Sequence, residues 1–422
     1  MKEINTSEFE KEILGGGKVV LDFYSSECPP CEAVAPKFEG LAALYGKEIK
    51  FVKIFRQQNR ELAEMMGVKS SPTLLFFDNG VQLPKMLTGG IKRSDIIEQL
   101  DGMLSSEKVK EIKLQIKPVV SEYDVMILGG GPGGLTAGIY LSQSKLSTVI
   151  IDIALPGGQV STTHEVSNFP GFIDPQPGYM LSHYMSEQAK TNGSLFKVAV
   201  DVTKVDLVKK EVVIDEFETI KAKKIIIATG TSPNLMGIPG EKEMKGKGIS
   251  YCATCDAKYY GDKEVVVIGG GNSAVEEADF ISKFAEKITM VHQFDAFTAN
   301  KQAQEKLLTN HKISTHFEHE PRSFVRQGDK IVTQIEDLQT KTLSEIISDG
   351  VFIFIGMKPN TELFGDTLAT DKWGYIKTDE DMRTSVPDVY AVGDVISKKY
   401  RQITTAVSDG TIAAIAIAKE LD

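Results

Sequence analysis

The chain of 422 residues carries 48 lysines and arginines against 58 aspartates and glutamates, a formal charge of −10. The two signs are interspersed, so no basic stripe exists to neutralise a phosphate backbone, and nucleic acid is excluded as a partner. No stretch reaches the roughly 18 apolar residues of a membrane span, and the start, MKEINTSEFEKEI, has no cationic segment followed by an apolar run. No membrane contact and a cytoplasmic, reducing location are therefore expected; the length suits about three compact units of roughly 100–200 residues.

Up to about residue 104 the pattern predicts a strand over 19–24, a helix over 32–45, a strand over 49–55, a helix over 59–66 and a strand over 72–77. Cys28-Pro29-Pro30-Cys31 falls on the first strand-to-helix turn, where unpaired N–H groups and the helix dipole favour a thiolate. Asp22, six residues earlier between Leu21 and Phe23, is expected to be buried and to take up the proton released as the thiol pair exchanges. This segment resembles thioredoxin over its whole length. The resemblance rests on Asp22, the CPPC pair, Lys53, the Ser71-Pro72-Thr73 step and Gly89. It implies a cis Pro72 that holds backbone beside the dithiol for a substrate strand. The family's Trp-Cys-Gly-Pro-Cys reads Glu27-Cys28-Pro29-Pro30-Cys31 here, placing a carboxylate where an aromatic stands and raising the expected thiol pKa.

Residues 105–121, SSEKVKEIKLQIKPVVS, read as a charged linker or as an added strand over 113–120. As a flexible tether of about 17 residues it would span roughly 20–25 Å, holding two sites together at an effective concentration around millimolar.

The chain restarts at Tyr123 with a strand over 124–128, then Gly129-Gly130-Gly131-Pro132-Gly133-Gly134, an apolar helix, and a strand over 147–151 closed by Asp152. Gly129, Gly131 and Gly134 let backbone approach a pyrophosphate at the helix N-terminus, and Asp152 stands where a ribose hydroxyl is bound. A second unit of this design has a strand over 264–268, Gly269, Gly271 and Ala274 in its turn, a helix, and a strand over 287–292. The other two cysteines, Cys252-Ala253-Thr254-Cys255, lie between the two units. A joint zinc site would need pairs more than two hundred residues apart in unrelated contexts, so no metal is expected, and His164 and His183 are read as structural or surface groups. Two dinucleotide folds around a dithiol indicate a flavin and a pyridine nucleotide passing electrons to sulfur.

Residues 122–422 resemble the low-molecular-weight FAD-dependent thioredoxin reductases. The matching residues are the GGGPGG loop, Gly157-Gly158-Gln159, Asn168-Phe169-Pro170-Gly171, Ala228-Thr229-Gly230, the CATC pair with Asp256, Gly393-Asp394 and Arg401-Gln402. The resemblance implies an α/β architecture: an N-terminal thioredoxin fold followed by two Rossmann-like three-layer dinucleotide-binding domains. The domains would be 1–104, a linker 105–121, a discontinuous FAD domain 122–232 plus 362–422, and an inserted NAD(P)-binding-like domain 233–361 carrying the CATC dithiol. It further implies a homodimer with domain rotation. FAD would lie across the first glycine loop, Gly393-Asp394 and Arg401-Gln402, with Cys255 facing the flavin, Cys252 attacking the partner disulfide and Asp256 handling the proton. The partner disulfide would be Cys28–Cys31, in cis or from the other subunit.

NADPH-using reductases carry His-Arg-Arg-x-x-x-Arg-Ala after the second strand; here the stretch is His292-Gln293-Phe294-Asp295-Ala296-Phe297-Thr298-Ala299. All three arginines are missing, and each charge-assisted bond to a 2′-phosphate is worth about 1.5–3 kcal/mol. The donor is therefore expected to be NADH or NADPH with weak preference, with ferredoxin as the alternative and a non-catalytic redox sensor as a third reading. The final acceptor is a peroxiredoxin, a separate thioredoxin or another dithiol protein. An alkyl-hydroperoxide-reductase flavoprotein fits less well, because that family has two fused thioredoxin folds and about 104 residues hold only one. Ser408 and Asp409 follow the Arg401-Gln402 segment close to the expected flavin position, which leaves the flavin potential open.

Overall fold

The computed structural model describes residues 1–421 apart from His164, Glu165 and Ser167, and only the backbone of Thr254 and Cys255. Strands β1 (Lys2–Ile4), β2 (Lys18–Tyr24), β3 (Lys50–Phe55), β4 (Thr73–Asp78), β5 (Val81–Gln82) and β6 (Leu87–Thr88) form one sheet in the order β1-β3-β2-β4-β5, with β6 also on β4. Helices α1 (Pro29–Tyr45), α2 (Arg60–Met65) and α3 (Arg93–Gly102) complete the unit. The apolar runs of β2, β3 and β4 supply two cores, one on each sheet face: Val20, Phe51 and Phe76 on one side, Leu21, Val52 and Phe77 on the other. Such two-sided burial explains why these strands read as nearly continuous hydrophobic runs.

The connector differs from a free tether. Ser105 caps helix α4 (Ser106–Lys113), whose Ile112 is buried in the first core and whose Lys108 and Lys113 pair with Glu48 and Asp101. From Val119 the chain is already strand β7 (Val119–Leu128), paired in parallel with Glu218–Ile227, so only 114–118 lies between the two elements. Helix-forming Glu and Lys residues with one buried isoleucine account for the helix, and backbone pairing captures the apolar Val119 and Val120.

Helix α5 (Pro132–Gln143), β8 (Thr148–Asp152), α6 (Gly178–Asn192), β9 (Leu195–Val198), β10 (Val202–Asp206), β11 (Glu211–Ile214) and β12 (Glu218–Ile227) follow. They build a sheet in the order β10-β11-β12-β7-β8-β9, and a late strand, Val389–Ala391, pairs in parallel with β12. A short antiparallel pair, β13 (Thr231–Pro233) with Met357–Pro359, leads to and from a further body. That body contains α7 (Glu241–Met244), β14 (Ile249–Ser250), α8 (Ala253–Asp256), β15 (Glu264–Ile268), α9 (Asn272–Ile281), β16 (Lys287–His292), α10 (Lys301–Leu308) and β17 (Ile313–Phe317). The meander β18 (His319–Gln327), β19 (Lys330–Asp337) and β20 (Leu343–Ser348) precedes β21 (Gly350–Ile353), which completes a parallel sheet ordered β14-β21-β15-β16-β17. The chain then returns through β22 (Met357–Pro359) and β23 (Val389–Ala391) to α11 (Ile403–Leu421), which packs on α5. Both doubly covered sheets bury separate cores on their two faces. Among the described residues no helix is long and apolar enough to cross a membrane.

Candidate active site

A cavity of about 640 Å³ opens at the carboxyl ends of β7, β12 and β23, the position where open parallel sheets bind ligands. Gly129, at φ +112°, leaves β7 so close to β12 that a Cβ would lie 2.3 Å from the Ala228 carbonyl oxygen. Gly134 is equally constrained, its Cβ position being 2.0 Å from the oxygen of Gly129. Gly131 caps α5, and a Cβ there would meet nothing within 4 Å, so its backbone is open to the cavity it lines. Asp152 ties the loop from the end of β8: Oδ2 accepts from the Gly130 N–H at 2.6 Å and Oδ1 from the Ala154 N–H at 2.8 Å. Burial raises its pKa, and those two N–H groups oppose the rise.

The remaining residues expected at this site fall on the walls or just behind them. Gly158 rests against Gly131, and Gln159 donates from Nε2 to Thr231 O and Oγ1 at 2.7 and 3.0 Å. Gly230, Gly393, Asp394 and Gln402 line the cavity, while Asn168 donates to Gln402 Oε1 at 3.4 Å from the neighbouring loop. Arg401 braces the turn: its guanidinium donates to the carbonyls of Asp394 and Ile396 and lies 3.9 Å from the centroid of the Tyr375 ring. One contributor, Asn360, escaped the sequence, and Asp409, noted there only for its closeness to the flavin position, has a defined bracing role. Asn360 receives the Thr229 hydroxyl on its carbonyl at 2.8 Å and donates from Nδ2 to Thr229 O at 2.8 Å, joining β12 to the returning chain. Asp409, buried in α11, accepts the Gly393 N–H at 3.0 Å and the Lys398 ammonium at 2.7 Å. An acid within the apolar run of α11 was the available signal. Asp394 Oδ1 is buried with no hydrogen bond, its nearest cation being the Lys398 ammonium at 3.8 Å, and burial raises its pKa against Lys398 and Arg401. An open glycine cradle at a helix N-terminus and a buried carboxylate oxygen without a hydrogen-bond donor fit a dinucleotide with ribose and ribityl hydroxyls.

The CATC turn stands against the end of the short helix whose Gly158, Gln159 and Val160 line the cavity. Cys252, half-buried before α8, exchanges hydrogen bonds with the Ser250 hydroxyl at 3.1 Å, and its Sγ lies 3.9 Å from the carbonyl oxygen of Thr162. Thr162 ends the short helix Gly158–Thr162 that carries Gln159. The Asp256 N–H donates to Cys252 O at 3.3 Å; the side chain of Cys255 and the whole of His164 lie outside the described residues.

The second glycine turn is well formed but uncharged. Gly269, at φ +132°, packs against Phe354 O and Ala274, and Gly271 caps α9. The His292 ring sits 2.5 Å from where a Gly270 Cβ would be, stacked on Phe297, with Nε2 buried and unpartnered. Burial lowers the pKa of this histidine. No lysine or arginine occurs from 288 to 300.

In the N-terminal unit Cys28 caps α1 and is joined to Cys31 in a disulfide. Cys31 is only 8% exposed, whereas Cys28 is more open, its Sγ 3.5 Å from the carbonyl of Ser71 at the cis Ser71–Pro72 bond. Glu27 is exposed at φ +50°, in the left-handed region. Asp22 is buried with Oδ1 unpartnered, and burial pushes its pKa up to about 7 despite the opposing Lys53.

Residues 123–410 match the family model described as "Pyridine nucleotide-disulphide oxidoreductase", and residues 1–102 match that of thioredoxin. The chain belongs to the pyridine nucleotide-disulphide oxidoreductases. It is 43% identical over 295 residues to the "34.2 kDa protein in rubredoxin operon" of Clostridium pasteurianum, covering 70% of this chain and 96% of that one. It is 40% identical over 294 residues to the thioredoxin reductase of Bacillus subtilis, covering 69% and 92%. Among solved structures, Lactococcus lactis thioredoxin reductase in its FR conformation aligns with TM-score 0.62 at 37% identity over 70% of this chain and 98% of that one. Thioredoxin reductase from T. acidophilum gives 0.61 at 33% identity over 71% and 99%. The protein is a thioredoxin-reductase-type flavoprotein disulfide oxidoreductase with a thioredoxin unit at its N-terminal end, and FAD is the cofactor that its first cavity fits.

Gly134→Ala forces a methyl group into the Gly129 carbonyl. The purified variant is expected to lose at least about tenfold in FAD affinity and roughly 1–3 kcal/mol of stability, read from the flavin-to-protein absorbance ratio and a urea titration. For Asp22 the sign is set by the raised pKa: the native state holds this proton more tightly than the unfolded chain between about pH 4 and about 7. Stability is therefore lost as pH rises through that window. Asp22→Asn is expected to match the parent below about pH 4 and to exceed it by at most roughly 4 kcal/mol above pH 7, measured as urea unfolding of the thioredoxin unit at both pH values.

Proposed function

We propose that this reductase passes electrons along one chain, from its cofactor cavity to Cys252 and Cys255, on to Cys28 and Cys31, and then to disulfides of other proteins. The proposed division of labour has 1–104 as the carrier, 122–232 with 362–422 as the FAD domain, and 233–361 as the domain bearing the CATC dithiol. The observation that carries the reading is the placement of Cys252 against Thr162, the last residue of the short helix whose Gly158, Gln159 and Val160 line the cavity, while a complete second dithiol stands in the same chain. Bound FAD supplies a two-electron relay between the donor and sulfur.

Cys252, as thiolate, attacks the accessible sulfur of the carrier, Cys28, and the more buried Cys31 leaves; a Cys252–Cys28 mixed disulfide forms as the Cys28–Cys31 bond breaks. Cys255 then attacks Cys252, restoring the CATC disulfide and releasing Cys28 as the second thiol. Asp22, with its pKa near 7, holds a proton at neutral pH for the leaving Cys31 sulfur. Asp256, next to Cys255, supplies or accepts the proton that accompanies exchange at the CATC pair. The carrier has to reach a sulfur site that also faces the flavin, which requires the two nucleotide-binding bodies to turn about β13 and β22. The reduced carrier then serves a peroxiredoxin, a separate thioredoxin or another dithiol protein, in a cytoplasmic homodimer.

A nicotinamide donor is supported by the intact Gly269, Gly271 and Ala274 turn. The lack of any cation from 288 to 300 and the buried, uncharged His292 on Gly270 favour the second reading, a protein donor such as ferredoxin. Anaerobic stopped-flow reduction of the FAD-loaded protein separates them. Flavin bleaching by NADH or NADPH with little preference is expected; no bleaching by either, with full reduction by dithionite or reduced ferredoxin, overturns the nicotinamide donor. Gln293→Arg with Phe294→Arg should lower the KM for NADPH by at least about tenfold, each added charge-assisted bond being worth about 1.5–3 kcal/mol, without changing that for NADH. In Cys252→Ser, flavin bleaching persists while reduction of Cys28–Cys31, followed by thiol labelling, falls to background.

A further inference from the structure

The thioredoxin unit is seated on the FAD sheet through buried polar contacts. The Lys37 ammonium, on α1 and 9% exposed, donates to three carbonyls: Ile91 of its own unit at 3.0 Å, and Val198 and Ala199 of the FAD unit at 2.9 and 2.7 Å. Ala199 is fully buried at φ +51°, a conformation costly for a residue with a Cβ, and it forms part of the acceptor pair that meets the lysine. Next to it, Asp201 receives the Lys92 ammonium at 2.8 Å on one oxygen and the Ser94 hydroxyl on the other. The Asp201 N–H is held by Asp215 at 2.9 Å. Arg93 lies 4.7 Å from the centroid of the Phe217 ring, and Glu32 pairs with Lys190 at 3.0 Å across the same seam. The contact is a designed fit rather than an exposed ion pair: an ammonium this buried persists only where all its protons are accepted.

One part of this seam reaches the cofactor. Lys92 and Asp201 both belong to the wall of the 640 Å³ cavity, beside Val202 and within the same lining as Asp152. The cavity wall is therefore completed by a residue from a different unit. We infer that docking of the thioredoxin unit and retention of FAD are coupled: the seated unit contributes Lys92 to the dinucleotide cavity, and the loaded cavity in turn holds the unit seated. Reciprocity is required by linkage, because a cofactor that binds the docked form more tightly must shift the chain toward that form. Delivery of electrons by Cys28 to other proteins then starts from a parked position that the FAD unit itself stabilises.

The test uses the full chain with its flavin removed and then restored. In the unsubstituted protein, small-angle scattering should show a larger radius of gyration without FAD than with it. Lys37→Met, which leaves the three carbonyls facing a methyl group outside the cavity, should expand the FAD-loaded particle and raise the FAD dissociation constant about five-fold or more, by titration of flavin fluorescence. Glu32→Lys, on the surface and opposed to Lys190, should move both readouts in the same direction without disturbing a buried site. A particle equally compact with and without FAD, and in both variants, overturns the docking linkage. Expansion with an FAD affinity within twofold of the parent overturns the contribution of the seated unit to the cavity. Both readouts are independent of which donor reduces the flavin.

Discussion

The closeness of two backbones at the head of the FAD sheet governs the rest of the site. Where β7 ends, the Gly129 Cα faces the Ala228 carbonyl so tightly that a methyl group would stand 2.3 Å from its oxygen. That approach lets the loop turn at once into α5 and aims the helix N-terminus at the cavity, while β12 continues past it into Thr229 and Gly230. Glycine is needed here for space as well as for its φ of +112°. The third participant, Gly393, arrives from the far end of the chain through β23 and is held by Asp409. Three segments distant in sequence thus converge because parallel pairing places all their carboxyl ends on one edge.

The two dithiols occupy different electrostatic settings. Cys28 begins a 17-residue helix, where aligned peptide dipoles favour a thiolate, and has a buried carboxyl with a pKa near 7 on the adjoining strand. Cys252 precedes a short helix and is placed by main-chain and hydroxyl contacts at Ser250, with its Sγ 3.9 Å from Thr162 O. The first arrangement favours a reactive, accessible sulfur at a helix N-terminus, and the second fixes the sulfur through main-chain contacts. The short β13 and β22 pair, three residues on each strand, is where the chain passes between the FAD sheet and the CATC body.

Much of this was legible beforehand because the chemistry is local. The glycine turns announced themselves by strand, loop and helix in succession, and Asp152 by its place at the next strand end. Asp22 betrayed its burial by lying between Leu21 and Phe23, and the structure leaves one of its oxygens unpartnered. The connector was harder. Its composition allowed a tether or a strand over 113–120; instead one buried isoleucine and two ion pairs hold α4 to the thioredoxin unit, and strand begins only at Val119. Short amphipathic segments do not reveal from composition whether an apolar surface lies within reach.

What the sequence by itself determined was the chemical inventory: two dithiols, two dinucleotide turns, and a second turn without the cations a 2′-phosphate requires. Each is a property of contiguous residues, since thiol spacing, glycine permissiveness and missing charge need no distant partner to be read. Only the tertiary structure decided which remote groups complete the site. Asn360 meets Thr229 across 131 positions, Lys92 meets Asp201 across 109, and Lys37 meets Ala199 across 162. A lysine or asparagine is unremarkable as a letter. Its role is set by which carbonyls and carboxylates the packed sheets bring within about 3 Å, and that follows from the whole fold.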